Sequence, residues 1–217
     1  MKQENYKKIF QSKTAQEFSN ILQQGCTRCS LSKHHCGPIV YRGSPSAPIL
    51  LLGEAPGKVE SELGTPFCGP AGKLLDRIFE VTTELNTNRD MILSNVSFCR
   101  PVAPDNSGKQ NYTPKEEQLN ICFPFIEKFI EIINPKILIA CGRTALMQLT
   151  GDKRIKIGIW EGKWLNRNNI PMFVMTHPAS LLHLSKWPDK LEEKKLQVKE
   201  YMEYFGRTYK EKYNYKI

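Results

Sequence analysis

Short apolar runs constrain the fold of this chain more than any other feature of its sequence. The first is the four-residue run at 49–52 (ILLL), and further strand-like segments follow at 91–98, 137–140 and 171–176. Apolar runs of this length are typical of strands that are buried on both faces. Segments with helical spacing of apolar residues separate them. We therefore predict an α/β fold: a single three-layer domain with a central, mainly parallel four-stranded sheet flanked by helices.

Two capping patterns predict where particular helices begin. Residues 14–17 (TAQE) have the form of a capping box, and Gly25 should end that helix directly before Cys26. Residues 113–116 (TPKE) place Thr at the N-cap, Pro at N1 and Glu at N3, which predicts a helix from Thr113 onward. Pro124 should kink or split this second helix.

Length and composition indicate one ordinary globular domain. The chain has 217 residues, of which 40% are apolar and 24% charged. We divide the domain, 1–217, into an N-terminal helix with a cysteine pair (1–36), a core (37–185) and a basic C-terminal helix (186–217). No run of eighteen apolar residues is present and the N-terminus is polar. We expect a cytoplasmic monomer with no membrane span, associated with the nucleoid if the source is bacterial.

The charge balance favours a polyanionic partner. The 31 Lys and Arg residues exceed the 22 Asp and Glu residues, which gives a formal net charge of +9. Such a surplus points to nucleic acid first, although a well-solvated surface explains the charge equally well. Part of the surplus lies in the C-terminal helix, which is also a possible docking surface for a replication or repair protein.

Polar residues cluster where the predicted strands end. They occupy the loop after Leu52, the segment 94–100, and the loop after Met175. Ligands of open α/β sheets bind outside the carboxyl ends of the strands, so these three clusters should form one site. The first loop runs for about twenty residues, a length that is uncommon in a compact domain unless the loop has a function. Its glycines would let backbone N–H groups, that of Gly53 among them, approach a ligand closely.

Four of the seven cysteines have the arrangement of a metal site. Seven is an odd number, and thiols stay reduced in the cytosol, so a disulfide framework is not expected. Cys26 and Cys29 form a C-x-x-C pair, Cys99 closes the second strand, and Cys122 lies on the helix predicted from residue 113. Four thiolates suit a structural zinc ion or a 4Fe–4S cluster, and the spacing leaves both open. Of the other three, Cys36 is a rival ligand, Cys141 is a predicted core residue, and Cys68 has no assigned role.

Three further motifs make the sequence similar to a known family. Residues 53–57 (GEAPG) with 64–76 (GTPFCGPAGKLLD) resemble the first signature of the family 4 uracil-DNA glycosylases. Residues 95–101 (NVSFCRP) resemble the second block of that family, and 177–182 (HPASLL) resemble its closing motif. With the cysteine pair, the resemblance covers about residues 20–185. It implies an enzyme that flips uracil out of DNA and hydrolyses its bond to the sugar.

The resemblance also implies a cofactor. It selects the 4Fe–4S cluster, held by Cys26, Cys29, Cys99 and Cys122, over zinc. One departure from the family is that Cys99 and Cys122 are 23 positions apart, which is longer than expected. The extra residues would lie at 104–111 (PDNSGKQN), a loop-like stretch that can be absorbed without moving either ligand.

The positions that match the family supply the groups that base excision needs. Phe67 is the expected stacking platform for the flipped base. The amide of Asn95 can donate to uracil O4 and accept from N3–H, a pattern that rejects cytosine. His177 can donate to uracil O2 as negative charge develops on the leaving base. By resemblance, Glu60 would crowd the C5 position and exclude the methyl group of thymine, although Ser61 stands where the family often has an acid.

The water nucleophile has a less defined partner. Better-known uracil glycosylases place Asp in the first loop where this chain has Ala55, so Glu54 is the nearest carboxylate and the expected catalytic residue. Glu54 could instead contribute mainly backbone contacts. Covalent-trapping relatives carry a reactive His in the loop after the second block, and residues 101–113 contain none. We therefore expect turnover without a protein–DNA crosslink.

Two alternative functions stay open. A glycosylase of the same fold could remove another modified base. A non-catalytic DNA-binding module could use the four cysteines for a structural zinc ion, which predicts colourless protein and no abasic product.

Overall fold

A six-stranded mixed sheet forms the centre of the computed structural model, which describes residues 3–33, 37–102 and 112–213. The strand order is β1-β3-β2-β4-β6-β5. The strands are β1 (Arg42–Gly43), β2 (Ile49–Gly53), β3 (Met91–Asn95), β4 (Ile137–Cys141), β5 (Trp164–Arg167) and β6 (Ile170–Met175). The inner four are parallel, as predicted, and β1 and β5 add one short antiparallel strand at each edge. The predicted α/β fold with a parallel four-stranded centre is confirmed.

Nine helices surround the sheet in the described part of the chain. They are α1 (Gln3–Gln11), α2 (Ala15–Gln23), α3 (Lys58–Leu63), α4 (Pro70–Thr83), α5 (Glu116–Ile133), α6 (Arg143–Thr150), α7 (Ile157–Trp160), α8 (Pro178–His183) and α9 (Pro188–Tyr213). Short 3₁₀ turns at Ser30–Lys33 and Leu184–Lys186 complete the order. None of these helices is long and apolar enough to cross a membrane.

Side chains alternate between two hydrophobic cores along each inner strand. Leu50 and Leu52 of β2 pack in the core on the side of α1, α2 and α5. Ile49 and Leu51 pack in the core on the side of α4 and α9. Because both faces of β2 are covered, all five residues of this strand are buried, and the four before Gly53 carry large apolar side chains. Helix, sheet and helix thus form the three predicted layers.

The second capping prediction was wrong by two residues: Thr113 was the expected N-cap, and Lys115 is the observed one. The helix predicted from Thr113 begins at Glu116 with Lys115 as its N-cap, and the Gln118 side chain accepts a hydrogen bond from the Lys115 N–H at 2.8 Å. Extended backbone at Lys115 (φ −66°, ψ 152°) keeps Thr113 outside the helix. The helix continues through Pro124 without a break. The first capping box is present as predicted, and α2 ends before Gly25, which has φ +120°.

The C-terminal helix α9 is a packed element of the domain. Phe205 lies in the second core against Trp164, Phe173 and Phe79, with ring centroids 4.9 to 6.1 Å apart. The helix contains seven basic and six acidic residues, so it holds little of the charge surplus of the chain. Its use as a docking surface for another protein stays a prediction.

Candidate active site

A cleft of about 550 Å³ opens at the carboxyl ends of the parallel strands. Its walls come from the loop after β2, the end of β3, the end of β4 and the turn after β6. Of the predicted site residues, Glu54, Glu60, Phe67, Asn95 and His177 all line it. The structure therefore brings together side chains that are more than 120 positions apart in the sequence. This position is the one expected for a ligand site in an open parallel sheet.

Gly53 lies directly behind the floor of the cleft. It is the last residue of β2 and pairs with Asn95, the last residue of β3. A Cβ atom at position 53 would stand 2.6 Å from Cζ of Phe67 and 2.7 Å from Oδ1 of Asn95. Both distances are shorter than side-chain contacts allow, so only glycine lets the ring and the amide come this close. Asn95 is 2% and Phe67 5% exposed, so both side chains are held by their surroundings.

The backbone of the first loop is shaped around Phe67. This residue has φ +54°, a left-handed conformation that is uncommon for an aromatic residue and marks a constrained turn. A Cβ at Gly72 in the first turn of α4 would stand 1.8 Å from the carbonyl oxygen of Phe67. The glycine therefore allows the loop to pack against the helix and to hold the ring at the cleft.

His177 follows β6 and caps α8. Its Nδ1 accepts a hydrogen bond from the N–H of Ala179 at 3.2 Å, so Nδ1 is unprotonated and the neutral ring carries its proton on Nε2. Burial lowers the pKa of His177 to about 4, and the Glu60 carboxylate, which acts in the opposite direction, has the weaker influence. The imidazole centroid is 6.2 Å from that of Phe67, with 30° between the ring planes. A neutral donor thus faces the same space as the aromatic ring.

Both carboxylates of the cleft have hydrogen-bond donors. Oε1 of Glu60 accepts from the N–H of Gly69 at 2.8 Å, where α4 begins, and a helix N-terminus favours negative charge. Oε2 of Glu54 accepts from the hydroxyl of Thr144. These bonds hold each carboxylate in one orientation, and Glu54 stays half-buried beside the cleft.

Sequence reasoning missed the contribution of β4. Gly142, Arg143 and Thr144 follow this strand and line the cleft, and Thr144 is the partner of Glu54. Gly142 has φ +93° and leaves room for His177, whose Cβ would lie 2.9 Å from a Cβ at position 142. The strand itself was predicted, so the rule that ligands bind at carboxyl ends would have found this fourth segment.

The four predicted ligand cysteines meet in a second pocket, which shares no lining residue with the cleft. Cys26, Cys29, Cys99 and Cys122 line one small pocket beneath α2 and α5. Burial is the main cause that raises the pKa of Cys122 to about 12, and the thiols of Cys26 and Cys29 raise it further. Burial likewise raises the pKa of Cys99, with additions from the other three thiols. The four cysteines thus share one largely buried pocket.

The thiols are grouped but not arranged as ligands. Among the described residues, no three His, Cys, Asp or Glu side chains form a group that could hold a metal ion as they stand. The donor set itself fits a tetrathiolate site, because four cysteines share one pocket. Cys141 is fully buried, as predicted for a core residue. The rival ligand Cys36 and the loop 104–111 lie outside the described residues.

Comparison with known proteins agrees with this architecture. The family model described as the uracil DNA glycosylase superfamily matches residues 40–205. The chain is 32% identical to a type-4 uracil-DNA glycosylase of Pyrobaculum aerophilum, over 74% of this chain and 81% of the relative. It is 34% identical to those of Saccharolobus solfataricus (81% of each chain) and Thermotoga maritima (78% of this chain, 85% of the relative). The resemblance in the sequence motifs is thereby confirmed, and this chain belongs to the type-4 family of the uracil-DNA glycosylase superfamily.

Proposed function

We propose that this protein is a DNA repair enzyme that flips uracil out of DNA and hydrolyses its N-glycosidic bond, leaving an abasic site. One observation carries the proposal: the ring of Phe67, the amide of Asn95 and the imidazole of His177 line the same cleft. An extruded base needs a face to stack on, partners for its polar edge and a group that stabilises it as it leaves. These three side chains provide one of each.

Recognition of uracil rests on the Asn95 amide. Its NH₂ group donates to O4 and its oxygen accepts from N3–H, whereas cytosine presents the opposite pattern. Because the side chain is buried against Gly53, a wrong base leaves polar groups without partners in a dry site. Glu60, held by the N–H of Gly69, would crowd the C5 position and exclude thymine.

Departure of the base is assisted by His177. The glycosidic electron pair moves to the base, and negative charge develops on uracil O2. The neutral imidazole donates its Nε2–H to this oxygen, and a preorganised donor in a water-poor site stabilises such charge strongly. Glu54 orients the attacking water. The Thr144 hydroxyl donates to one of its carboxylate oxygens, and the other takes a proton from the water as the water oxygen bonds to C1′ and the C1′–N bond breaks.

We also infer that Cys26, Cys29, Cys99 and Cys122 hold a 4Fe–4S cluster. When bound, the cluster supplies a structural cross-link. It would join the segment after α2 to the segment after β3 and to α5, which all line the pocket. The reaction chemistry lies at the cleft, which shares none of its lining residues with the cysteine pocket.

The proposed activity is tested by incubating the protein with uracil-containing oligonucleotides and cleaving abasic sites with alkali. We expect cleavage at uracil and none at cytosine or thymine. A panel of oligonucleotides with other modified bases runs in parallel. If one of those bases were excised faster than uracil, that base would be the substrate. If no oligonucleotide were cleaved, the protein would be a non-catalytic DNA-binding module.

Substitution of Asn95 tests the recognition of the base. Asn95→Ala leaves the polar edge of the base unsatisfied, a loss of about 2–4 kcal/mol, so single-turnover excision should fall by about two to three orders of magnitude. Asn95→Asp only accepts hydrogen bonds and should shift activity toward cytosine. Phe67→Ala is the matched comparison, since stacking does not depend on the pattern of the edge. Near wild-type excision by Asn95→Ala would refute this recognition scheme.

The pH dependence tests the neutral state of His177. With a pKa of about 4, the imidazole stays neutral from pH 8 down to about pH 5, so the excision rate should show no loss near pH 6.5. Protonation would add a hydrogen to Nδ1, the atom that accepts from the N–H of Ala179. Two hydrogen-bond donors would then face each other, which disfavours the charged ring. The unfolded chain takes up this proton near pH 6.5, so stability should decrease as the pH falls from 6.5 to 4. NMR titration of the ring measures the pKa, and a midpoint between 6 and 7 would contradict the assignment.

Metal analysis tests the cluster. Protein purified without oxygen should be brown and contain iron and sulfide, with broad visible absorption. Cys122→Ser should lower the iron content and the thermal stability together, since the cluster links three segments of the chain. Cys68→Ser is the matched control, because Cys68 is half-buried and lies outside the cysteine pocket. Stoichiometric zinc without iron would select the runner-up cofactor instead.

A further inference from the structure

Helix α9 reaches the turn that carries His177. The hydroxyl oxygen of Tyr201, in the middle of this helix, accepts a hydrogen bond from the N–H of Thr176 at 3.2 Å. Thr176 is the residue between the end of β6 and His177, and it is 5% exposed. Tyr201 is 8% exposed. The bond is therefore buried directly behind the active-site histidine.

The Thr176 N–H needs this partner because the sheet ends one residue earlier. The last pairing of β6 with β4 joins Met175 to Cys141, and the Met175 carbonyl accepts from the N–H of Gly142. Thr176 lies beyond that last pairing, where β4 has no strand residue opposite it. A buried backbone donor without a partner costs free energy, and the Tyr201 hydroxyl satisfies it.

Other polar bonds of the turn are local or weak. The hydroxyls of Thr176 and Ser180 are 3.1 Å apart, and Ser180 Oγ donates to the carbonyl of His177 at 2.8 Å. The Cys141 thiol approaches the Thr176 carbonyl at 3.9 Å, a weak contact. Local bonds shape the turn but do not orient it against the domain. The bond to Tyr201 links it to a separate helix.

Tyr201 is itself held in place. Gly162, with φ +75°, leaves room for it: a Cβ there would stand 2.7 Å from Cβ of Tyr201. The ring packs against Phe173 of β6 with centroids 6.1 Å apart. An ion pair between Lys194 and the buried Glu161 anchors the same helix two turns earlier. The hydroxyl is therefore presented from a rigid support.

We propose that Tyr201 is a positioning residue for catalysis, and that its hydroxyl sets the orientation of His177 by holding the N–H of Thr176. The inference rests on the proposed role of His177 at uracil O2. The proposal assigns a positioning role in the reaction to α9, a helix that lies after the last family motif in the sequence. A donor displaced from the oxyanion loses most of its effect, so a small shift of this turn should slow catalysis with little change in DNA binding.

Tyr201→Phe tests the proposal because it keeps the ring and removes only the hydroxyl. We expect kcat for uracil excision to fall at least tenfold with KM changed less than twofold. Tyr209→Phe is the matched control, since Tyr209 is also buried on α9 and packs on Phe205. Both variants are assayed at a temperature where circular dichroism shows them folded. Equal losses in the two variants, or none in Tyr201→Phe, would overturn the proposal.

A double-mutant cycle separates positioning from general destabilisation. If Tyr201 acts through His177, Tyr201→Phe should cause no further loss in a His177→Ala background. If the loss of activity in the double variant equalled the product of the losses in the two single variants, the tyrosine would act independently of the histidine. That result would overturn the inference.

A spectroscopic readout keeps the test separate from the proposed function. His177 is one of four histidines, so its ring resonances can be assigned by substitution. Tyr201→Phe should shift these resonances and move the pKa of His177 upward, toward its ordinary value, while Tyr209→Phe leaves both unchanged. Unaltered resonances in Tyr201→Phe would contradict the proposal. If the wild-type protein failed to excise uracil, the proposed function would fall, and the resonances would still decide whether Tyr201 positions the histidine.

Discussion

The pairing of β2 with a parallel strand on each side is the constraint on which the rest of the structure depends. Its backbone is hydrogen-bonded to β3 and β4 along its length, and helices cover both faces. Such a strand can present functional groups only where it ends. Because the neighbouring strands are parallel and in register, their ends lie at the same edge, and the cleft forms there.

Glycines at this edge determine how close the functional side chains come. Gly53 lets the Phe67 ring and the Asn95 amide touch the strand end, and Gly142 makes room for His177. Adding one methyl group at either position would push a site residue away. Because Asn95 and Phe67 are almost fully buried, a base with the wrong polar edge would leave hydrogen-bonding groups without partners there, at a cost in free energy.

The cleft and the cysteine pocket are separate sites with different chemistry. The cleft contains a neutral histidine and two carboxylates with donors, which suits recognition and departure of a base. The cysteine pocket joins segments from three parts of the chain, which suits a structural cross-link. Helix α9 completes the second core and contacts the turn before His177, so packing and positioning come from the same element.

The sequence by itself determined the fold class, the inner strands and five of the side chains that line the cleft. Apolar runs report burial on both faces, and polar clusters after them report the carboxyl edge, so both signals are local. Only the tertiary structure decided two contacts between residues far apart in sequence. Thr144, the partner of Glu54, is 90 positions away from it, and Tyr201 is 25 positions away from Thr176. It also decided the low pKa of His177, because burial depends on what packs around a side chain and not on its neighbours in sequence. The first turn of α5 combines both kinds of contact: the Gln118 side chain accepts from the nearby Lys115 N–H and also donates to Ser30, 88 positions away, a partner that a local capping pattern does not reveal.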